Sequence, residues 1–265
     1  QCRPERAVRD FNASLVASAP IVAASANSPF LFGHTLWDET RIPLFEQAVD
    51  VGERYPSRVS FGRDYVHESL LEIFEENQKD PLILLPAVQD VPPEKVSHVR
   101  FHNGTLWRWN RPLIGFDFDG QVHLRIEHRV VPAGPTIKDC IANAAFYYGL
   151  VYGLATWKQP VETRLPYELA RDNFYSSARY GLNARILCAG EQGEREVGMR
   201  ELIVDERLPL ARRGLESQDI PSAVIDEYLD IIGARVVSSQ NGAAWQRRWV
   251  AMHGPDLHAM LNEYR

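Results

Sequence analysis

Charged and apolar residues alternate along His123–Thr136, which reads HLRIEHRVVPAGPT. Arg125, Glu127 and Arg129 occupy every second position, and in a β-strand such residues project from one face. Arginine binds carboxylates and phosphates through paired hydrogen bonds, and a carboxylate among arginines can hold Mg²⁺ together with substrate phosphates. The spacing is therefore compatible with a site for a magnesium–nucleotide complex.

A solvent-exposed ladder of salt bridges would give the same alternation, because opposite charges on one sheet face attract each other without any ligand. Residues 100–129 contain five arginines and three acidic residues, so this stretch is basic within an acidic chain. A ligand site and a salt-bridge ladder both fit the pattern.

Several common catalytic signatures do not occur in the sequence. It contains no GxxxxGK[ST], GxGxxG or GxSxG segment, which argues against P-loop, Rossmann and α/β-hydrolase chemistry. The histidines near the charged segment and the three cysteines of the chain lack the spacing of metal ligands. Scattered cysteines favour a reducing compartment without a disulfide framework.

The composition sets further bounds on function. The chain has 265 residues, 45% of them hydrophobic, and 29 basic against 35 acidic side chains give a net charge of −6. This balance disfavours wholesale nucleic-acid binding. The longest mostly apolar run, residues 14–26, is too short to span a bilayer and contains Pro20. No signal peptide is evident, so we expect a cytoplasmic protein without a membrane partner.

Apolar residues at helical spacing predict helices on both sides of the charged segment. We expect a helix over residues 4–26 with a kink at Pro20, and a helix over residues 64–78 with Asp64 as its cap. An irregular helical segment is expected over residues 35–52. Further helices are predicted in the C-terminal half, over residues 136–155, 166–181, 200–216, 220–237 and 242–254.

Strands are predicted between these helical regions. Residues 99–131 are strand-like, with Asn103-Gly104 and Asp119-Gly120 as hairpin turns. Residues 80–88 are expected to form a short strand or an extended segment. Helices followed by antiparallel strands and then by more helices indicate an α+β fold.

Six segments together resemble the glutamate–cysteine ligase type 2 and plant-type carboxylate–amine ligase family. They are ANSPFLFGHTLWDETR, HNGTLWRWNRP, HLRIEHRVVPAGPT, NAAFYYGLVYGL, RDNFYSSARYG and NGAAWQ, in that order along the chain. The resemblance covers nearly the whole chain, with gaps at residues 45–98 and 185–235.

The resemblance implies the glutamine-synthetase-like carboxylate–amine ligase fold, in which an antiparallel sheet forms a cup with helices packed behind it. It implies ATP and Mg²⁺ as cofactors and small-molecule substrates. ATP would phosphorylate the side-chain carboxylate of glutamate, and an amine, most simply that of cysteine, would attack the acyl phosphate. That reaction, γ-glutamylcysteine synthesis, belongs to glutathione biosynthesis.

The resemblance also implies roles for residues of the strand region. Glu127 would be the magnesium ligand, and Arg129 would contact the γ-phosphate. Arg111 would contact substrate or phosphate. Arg125 has no firm family role, and only its place on the same face suggests a catalytic contribution.

Two further segments would bind substrate and nucleotide by the same resemblance. Arg41 would bind the carboxylate of the amino-acid substrate, with Asn27 and Ser28 shaping the pocket. The alternative for residues 27–30 is a plain turn between helices. The segment carrying Asn241, Gly242 and Gln246 would lie near the nucleotide.

The family pattern is incomplete here. A Gly-x-Glu-x-Glu strand and a later Gln-x-His strand of the family have no counterpart. We therefore expect residues 1–265 to be one domain that forms the C-terminal portion of a longer catalytic domain, with its N-terminal strands missing. Such a fragment is expected to be inactive alone, and its open sheet edges could favour a homo-oligomer.

Alternatives to a glutamate–cysteine ligase remain open. The amine acceptor could be a different amine or amino acid. The chain could also be a non-catalytic relative, a nucleotide-binding or regulatory domain that keeps the charged face. Nucleic-acid binding is disfavoured by the net charge and by Glu127 among the arginines.

Overall fold

The computed structural model describes residues 1–79, 83–87, 90–190 and 193–264. The chain divides into two compact units. The first unit comprises Gln1–Asn12 and Pro43–Arg129, and the second comprises Ala13–Ile42 and Val130–Arg265. The prediction that residues 1–265 form a single ligase domain stays a prediction.

Helices dominate the described residues. They are α1 (Ala7–Ser25), α2 (Arg41–Ala48), α3 (Leu71–Gln78), α4 (Ser97–Gly104), α5 (Ile137–Ala155), α6 (Tyr167–Tyr180), α7 (Met199–Leu202), α8 (Leu208–Glu216), α9 (Ser222–Val237), α10 (Gly242–His253) and α11 (Leu257–Glu263). None of the helices in this described part is long and apolar enough to cross a membrane.

The strands of the described residues pair as antiparallel hairpins. They are β1 (Phe30–Leu31) with β2 (His34–Thr35), β3 (Asn110–Phe116) with β4 (Val122–His128), and β5 (Arg185–Gly190) with β6 (Gly193–Gly198). Helices with small antiparallel sheets agree with the predicted α+β class.

The long helices of the prediction are confirmed. A 3₁₀ turn at Pro4–Arg6 leads into α1, which continues through Pro20. Helix α5 begins at Ile137, next to the predicted start at Thr136, and the Thr136 side chain caps it by accepting a hydrogen bond from the Asp139 amide. Helix α6 ends at Tyr180, and Gly181 follows it with a positive φ of 55°. Glycine is favoured at this position because it adopts positive φ without strain.

The core of the second unit is built on α5. This helix packs against α8 and α9, and its buried side chains include Phe146, Leu150 and Leu154. Glycines on α5 and α8 let the two backbones approach closely. A Cβ on Gly214 would lie 2.8 Å from the Gly153 amide nitrogen and would overlap the Gly149 carbonyl oxygen.

The first unit carries the charged segment on the β3–β4 hairpin. The predicted turn at Asp119-Gly120 is confirmed, since the Gly120 amide donates to the Asp117 carbonyl and Gly120 has a φ of 85°. Beside the hairpin, the Trp107 and Trp109 backbone amides donate to the carbonyls of Arg58 and Ser60. The Trp109 side chain is fully buried.

The prediction of strand over residues 99–109 is wrong. Residues 97–104 form α4 instead, and Asn103-Gly104 ends this helix rather than turning a hairpin. The side chain of Asn103 is buried. Its Nδ2 donates to the Pro112 carbonyl, and its Oδ1 accepts from Asn77 Nδ2. These tertiary hydrogen bonds fix a local structure that the Asn-Gly pair does not reveal.

Other boundaries also differ from the prediction. The helix expected from Asp64 begins only at Leu71. The Glu72 side chain accepts hydrogen bonds from the backbone amides of residues 67–69, and these bonds hold the segment in a turn. Residues 83–87 form no strand, and the rest of the segment 80–88 lies outside the described residues. The β5–β6 hairpin was not predicted, because its strands are short and lie between strong helices.

The close contact between α5 and α8 gives a test of this packing. Gly214→Ala is expected to lower the free energy of unfolding by about 1–3 kcal/mol, since the added methyl group meets backbone. Gly233→Ala on α9 is the matched control, because its Cβ would approach only a Leu208 methyl group, at 3.7 Å. It should be neutral or stabilise by up to about 1 kcal/mol. Chemical denaturation measures both, and equal effects would contradict the packing.

Candidate active site

The register of the β3–β4 hairpin brings together three of the candidate residues. Arg111 lies directly opposite Glu127. Its Nε and Nη2 donate to Glu127 Oε2 at 2.9 and 2.8 Å, and Arg129 Nη1 approaches the same oxygen at 3.3 Å. One carboxylate oxygen thus holds two guanidinium groups.

Helix α4 fixes the orientation of the Arg111 side chain. Arg111 Nη1 donates to the Asn103 and Gly104 carbonyls at 3.2 and 3.3 Å. These carbonyls lie at the end of the helix, where backbone acceptors lack intrahelical partners and attract cations. The incorrectly predicted segment is therefore the one that positions this arginine.

The electrostatics of the cluster favour an anionic ligand. Burial lowers the pKa of Arg111, Glu127 opposes this effect, and the nearby Arg129 lowers the pKa further. A guanidinium nevertheless keeps its proton at neutral pH. Two cations beside a single carboxylate leave a net positive charge, which suits phosphate or carboxylate oxygens.

Arg125 stands apart from this cluster. It lies opposite Leu113 in the hairpin and is exposed. Its guanidinium makes no hydrogen bond or ion pair with any residue in the described ranges. Arg125 therefore does not pair with Glu127, and its catalytic contribution stays a prediction.

Both arginines bind the same oxygen of the candidate metal ligand. Glu127 Oε2 accepts from both arginines, whereas the Glu127 side chain is 35% exposed. Among the described residues, no group of three or more His, Cys, Asp or Glu side chains could hold a metal ion. A cation such as Mg²⁺ bound at this cluster would have Glu127 as its one carboxylate ligand and would complete its shell with phosphate and water.

In the second unit, Asn27 is the centre of a polar cluster. Its backbone amide donates to Glu39 Oε2 at 2.8 Å, and its Nδ2 donates to the Ala133 carbonyl at 2.8 Å. Its Oδ1 accepts from Gln246 Nε2 at 2.8 Å and from the Tyr264 hydroxyl. The polar groups of Asn27 therefore connect four separate segments of the unit.

Ser28, the residue after Asn27, links this segment to Arg41. The Ser28 Oγ accepts from the Arg41 amide at 3.1 Å, at the start of α2. The Arg41 side chain donates to Glu39 Oε1 at 2.9 Å and to the Val130 carbonyl at 2.5 Å. Glu39 is fully buried, and this burial raises the pKa of its carboxyl group, although Arg41 and the hydrogen bonds oppose the shift.

The predicted nucleotide-binding residues of the second unit act locally as supports for the Asn27 turn. Asn241 caps α10 through the Ala244 amide and donates to the Ala23 carbonyl at 2.9 Å. Gln246 Nε2 also donates to the Asn27 carbonyl at 2.9 Å. Gly242 has no room for a side chain, because a Cβ would overlap the Asn27 Oδ1. Direct nucleotide contact by these residues stays a prediction.

A polar cavity of about 310 Å³ lies beside this cluster within the second unit. Arg235 lines it and donates to Asn143 Oδ1 and Asp139 Oδ1, each at 2.6 Å. Burial alone would raise the pKa of Asp139, but the Thr136 hydroxyl and Arg235 outweigh it and lower that pKa. The cavity thus contains a fixed cation and a fixed anion, with the ring of Trp245 in its wall.

Sequence reasoning missed Arg235 and Asp139. One signal was available: Arg235 is the only charged residue in the run IIGARVV, residues 231–237. A charge within an apolar helical run is costly to bury unless it has a partner. Its partner, Asp139, lies 96 residues away in the chain, so sequence spacing could not identify the pair.

Comparison with known proteins supports the resemblance drawn from the motifs. The family described as Glutamate-cysteine ligase family 2 matches residues 3–262, which is nearly the whole chain. A search of curated proteins found no match.

The hydrogen bonds from Gln246 to Asn27 can be tested by substitution. Gln246→Met keeps the volume but removes both, so the free energy of unfolding should fall by about 1–3 kcal/mol. Gln218→Met is the control, because Gln218 is exposed and, among the described residues, its side chain bonds only to its neighbour Ser217. That control should change stability by less than about 0.5 kcal/mol. A Gln246 variant as stable as the control would contradict a supporting role.

Proposed function

Because the chain belongs to glutamate–cysteine ligase family 2, we propose that it is the substrate- and phosphate-binding part of an ATP-dependent carboxylate–amine ligase of the glutamine-synthetase-like fold. The preferred reaction joins glutamate to cysteine. The single observation that carries the proposal is the contact of one carboxylate, Glu127, with two guanidiniums on the β3–β4 hairpin.

The chemistry of such a ligase needs this combination of charges. A γ-carboxylate oxygen of glutamate attacks the terminal phosphorus of ATP, and the bond to ADP breaks. The amine nitrogen of the second substrate then attacks the acyl carbon, and phosphate leaves as the amide forms. Negative charge develops on phosphoryl oxygens in the first step and on the acyl oxygen and the departing phosphate in the second, so fixed cations stabilise both transition states.

Each residue of the cluster has a role in the proposal. Arg129 contacts the γ-phosphate, and Arg111, oriented by α4, contacts substrate or phosphate oxygens. Glu127 would hold Mg²⁺ through its carboxylate. The metal ion neutralises phosphate charge when bound. Arg125 is exposed on the same strand. In the proposal it contacts only a part of the ligand that extends over the exposed face of the hairpin.

The second unit supplies the amino-acid pocket in this proposal. Arg41 is one-third exposed despite its contacts with Glu39 and Val130, so its guanidinium can receive a carboxylate. Asn27 and Ser28 fix the backbone from which it projects.

The proposal is tested by the release of ADP from Mg²⁺-ATP, measured for the full-length natural protein with glutamate, with and without cysteine. Release that needs both amino acids supports a glutamate–cysteine ligase. Release with glutamate and a different amine keeps the ligase chemistry and changes the acceptor. ATP binding without release for any pair would contradict catalysis and favour a nucleotide-binding relative.

Glu127→Gln tests the metal role in the same assay. We expect turnover to fall by at least about a hundredfold and the Mg²⁺ concentration for half-maximal rate to rise, because the neutral amide is a poor ligand for a hard cation. Glu196→Gln is the matched control, since Glu196 forms an exposed ion pair with Arg185 on the β5–β6 hairpin. A Glu127 variant with the control's activity and Mg²⁺ dependence would refute the assignment.

A further inference from the structure

A second cluster of arginines surrounds a small cavity in the first unit. The cavity has a volume of about 140 Å³ and is lined by Arg58, Arg63 and Arg108, with Glu76 and Asn77 from the end of α3. None of these residues belongs to the candidate active site. The argument for this cavity is also independent of the proposed ligase function.

Backbone pairing brings the arginines together. The Trp107 amide donates to the Arg58 carbonyl at 2.7 Å, so the segment that contains Arg58 runs beside the segment that contains Arg108. The Arg58 side chain is buried, with the residue only 1% exposed. Arg63 stands at the rim, where 57% of its side chain is exposed.

The wall of the cavity carries more positive than negative charge. Glu76 Oε1 accepts from Arg63 Nε at 2.9 Å and lies 3.0 Å from Arg108 Nη2. Arg108 Nη2 also donates to Asn77 Oδ1 at 3.0 Å. Three guanidinium groups therefore line the cavity with a single carboxylate.

One donor in this wall points to a ligand. Arg108 Nε is buried, and among the described residues it has no hydrogen-bond acceptor. A buried N–H without an acceptor destabilises a folded protein, and such groups normally have a partner. An oxygen atom placed in the cavity would supply one.

We propose that this cavity binds the carboxylate or phosphate group of a small molecule. Guanidinium groups bind both kinds of oxyanion through paired hydrogen bonds. The cavity is much smaller than the roughly 300–1,000 Å³ of pockets that enclose drug-sized ligands. It therefore takes one oxyanion group, or inorganic phosphate as a whole, and not an entire nucleotide.

The competing explanation is a closed salt-bridge cluster whose remaining donor binds water. The two explanations predict different effects of Glu76→Gln on anion binding. In a binding site, Glu76 repels the anion and competes with it for Arg63 and Arg108, so Glu76→Gln should tighten anion binding. In a closed cluster, the same change only removes two ion pairs.

Isothermal titration of the full-length natural protein with inorganic phosphate and, separately, with L-glutamate tests the proposal. Glu76→Gln should tighten binding by about threefold to tenfold, and Arg108→Gln should weaken it by at least about tenfold. Arg63→Gln should weaken anion binding less. Because Arg63 is exposed, this variant is expected to fold, and the test stays valid if the Arg108 variant does not. Arg185→Gln, which removes an exposed arginine elsewhere, should have no effect.

The two ligands distinguish the source of the oxyanion. Binding of phosphate alone assigns a phosphate site, and binding of glutamate alone assigns a carboxylate site. The proposal is overturned if neither ligand gives a heat of binding. It is also overturned if Glu76→Gln and Arg63→Gln leave the affinity unchanged. Glutamate binding that Glu127→Gln abolishes and Arg63→Gln does not touch would place the ligand in the candidate active site instead. ADP release is a separate measurement, so failure of the ligase proposal remains distinguishable.

Discussion

The second unit depends on the hydrogen bonding of one carboxamide, that of Asn27. Its oxygen accepts from Gln246 and Tyr264, and its nitrogen donates to the chain just before α5. This half-buried carboxamide has partners for both its oxygen and its nitrogen, which favours one orientation, because a flip would set its NH2 group against the Gln246 donor. The start of α10 and the turn that leads to Arg41 are therefore fixed by the same side chain.

The first unit achieves the same precision through strand register. A shift of one residue would turn Glu127 to the other face of the hairpin and separate it from Arg111. The Asp119-Gly120 turn sets the register, and α4 holds the far end of the Arg111 side chain. A rigid support of this kind matters for oxyanion chemistry, since cations stabilise a transition state best when they need no reorganisation.

Features with a strong local signal were predictable from the sequence, and those created by distant contacts were not. Thr136 and Gly181 mark helix ends by their own chemistry, and the motifs around Asn27 and Glu127 identified the family. The Asn103-Gly104 pair was wrongly predicted to form a hairpin turn. Its conformation depends on hydrogen bonds to Asn77 and Pro112, which lie 26 and 9 residues from Asn103 in the chain. Arg235 and Asp139 could be joined only by the fold.

The glycines of α5 and α8 restrict how this chain can change over evolutionary time. A large side chain in a core can usually be accommodated by trimming its neighbour, so most packing positions drift in compensating pairs. The atoms that face Gly214 are the carbonyl of Gly149 and the amide of Gly153, and every amino acid carries these atoms. No second substitution can make room there, so a lineage that replaces this glycine must move a whole helix.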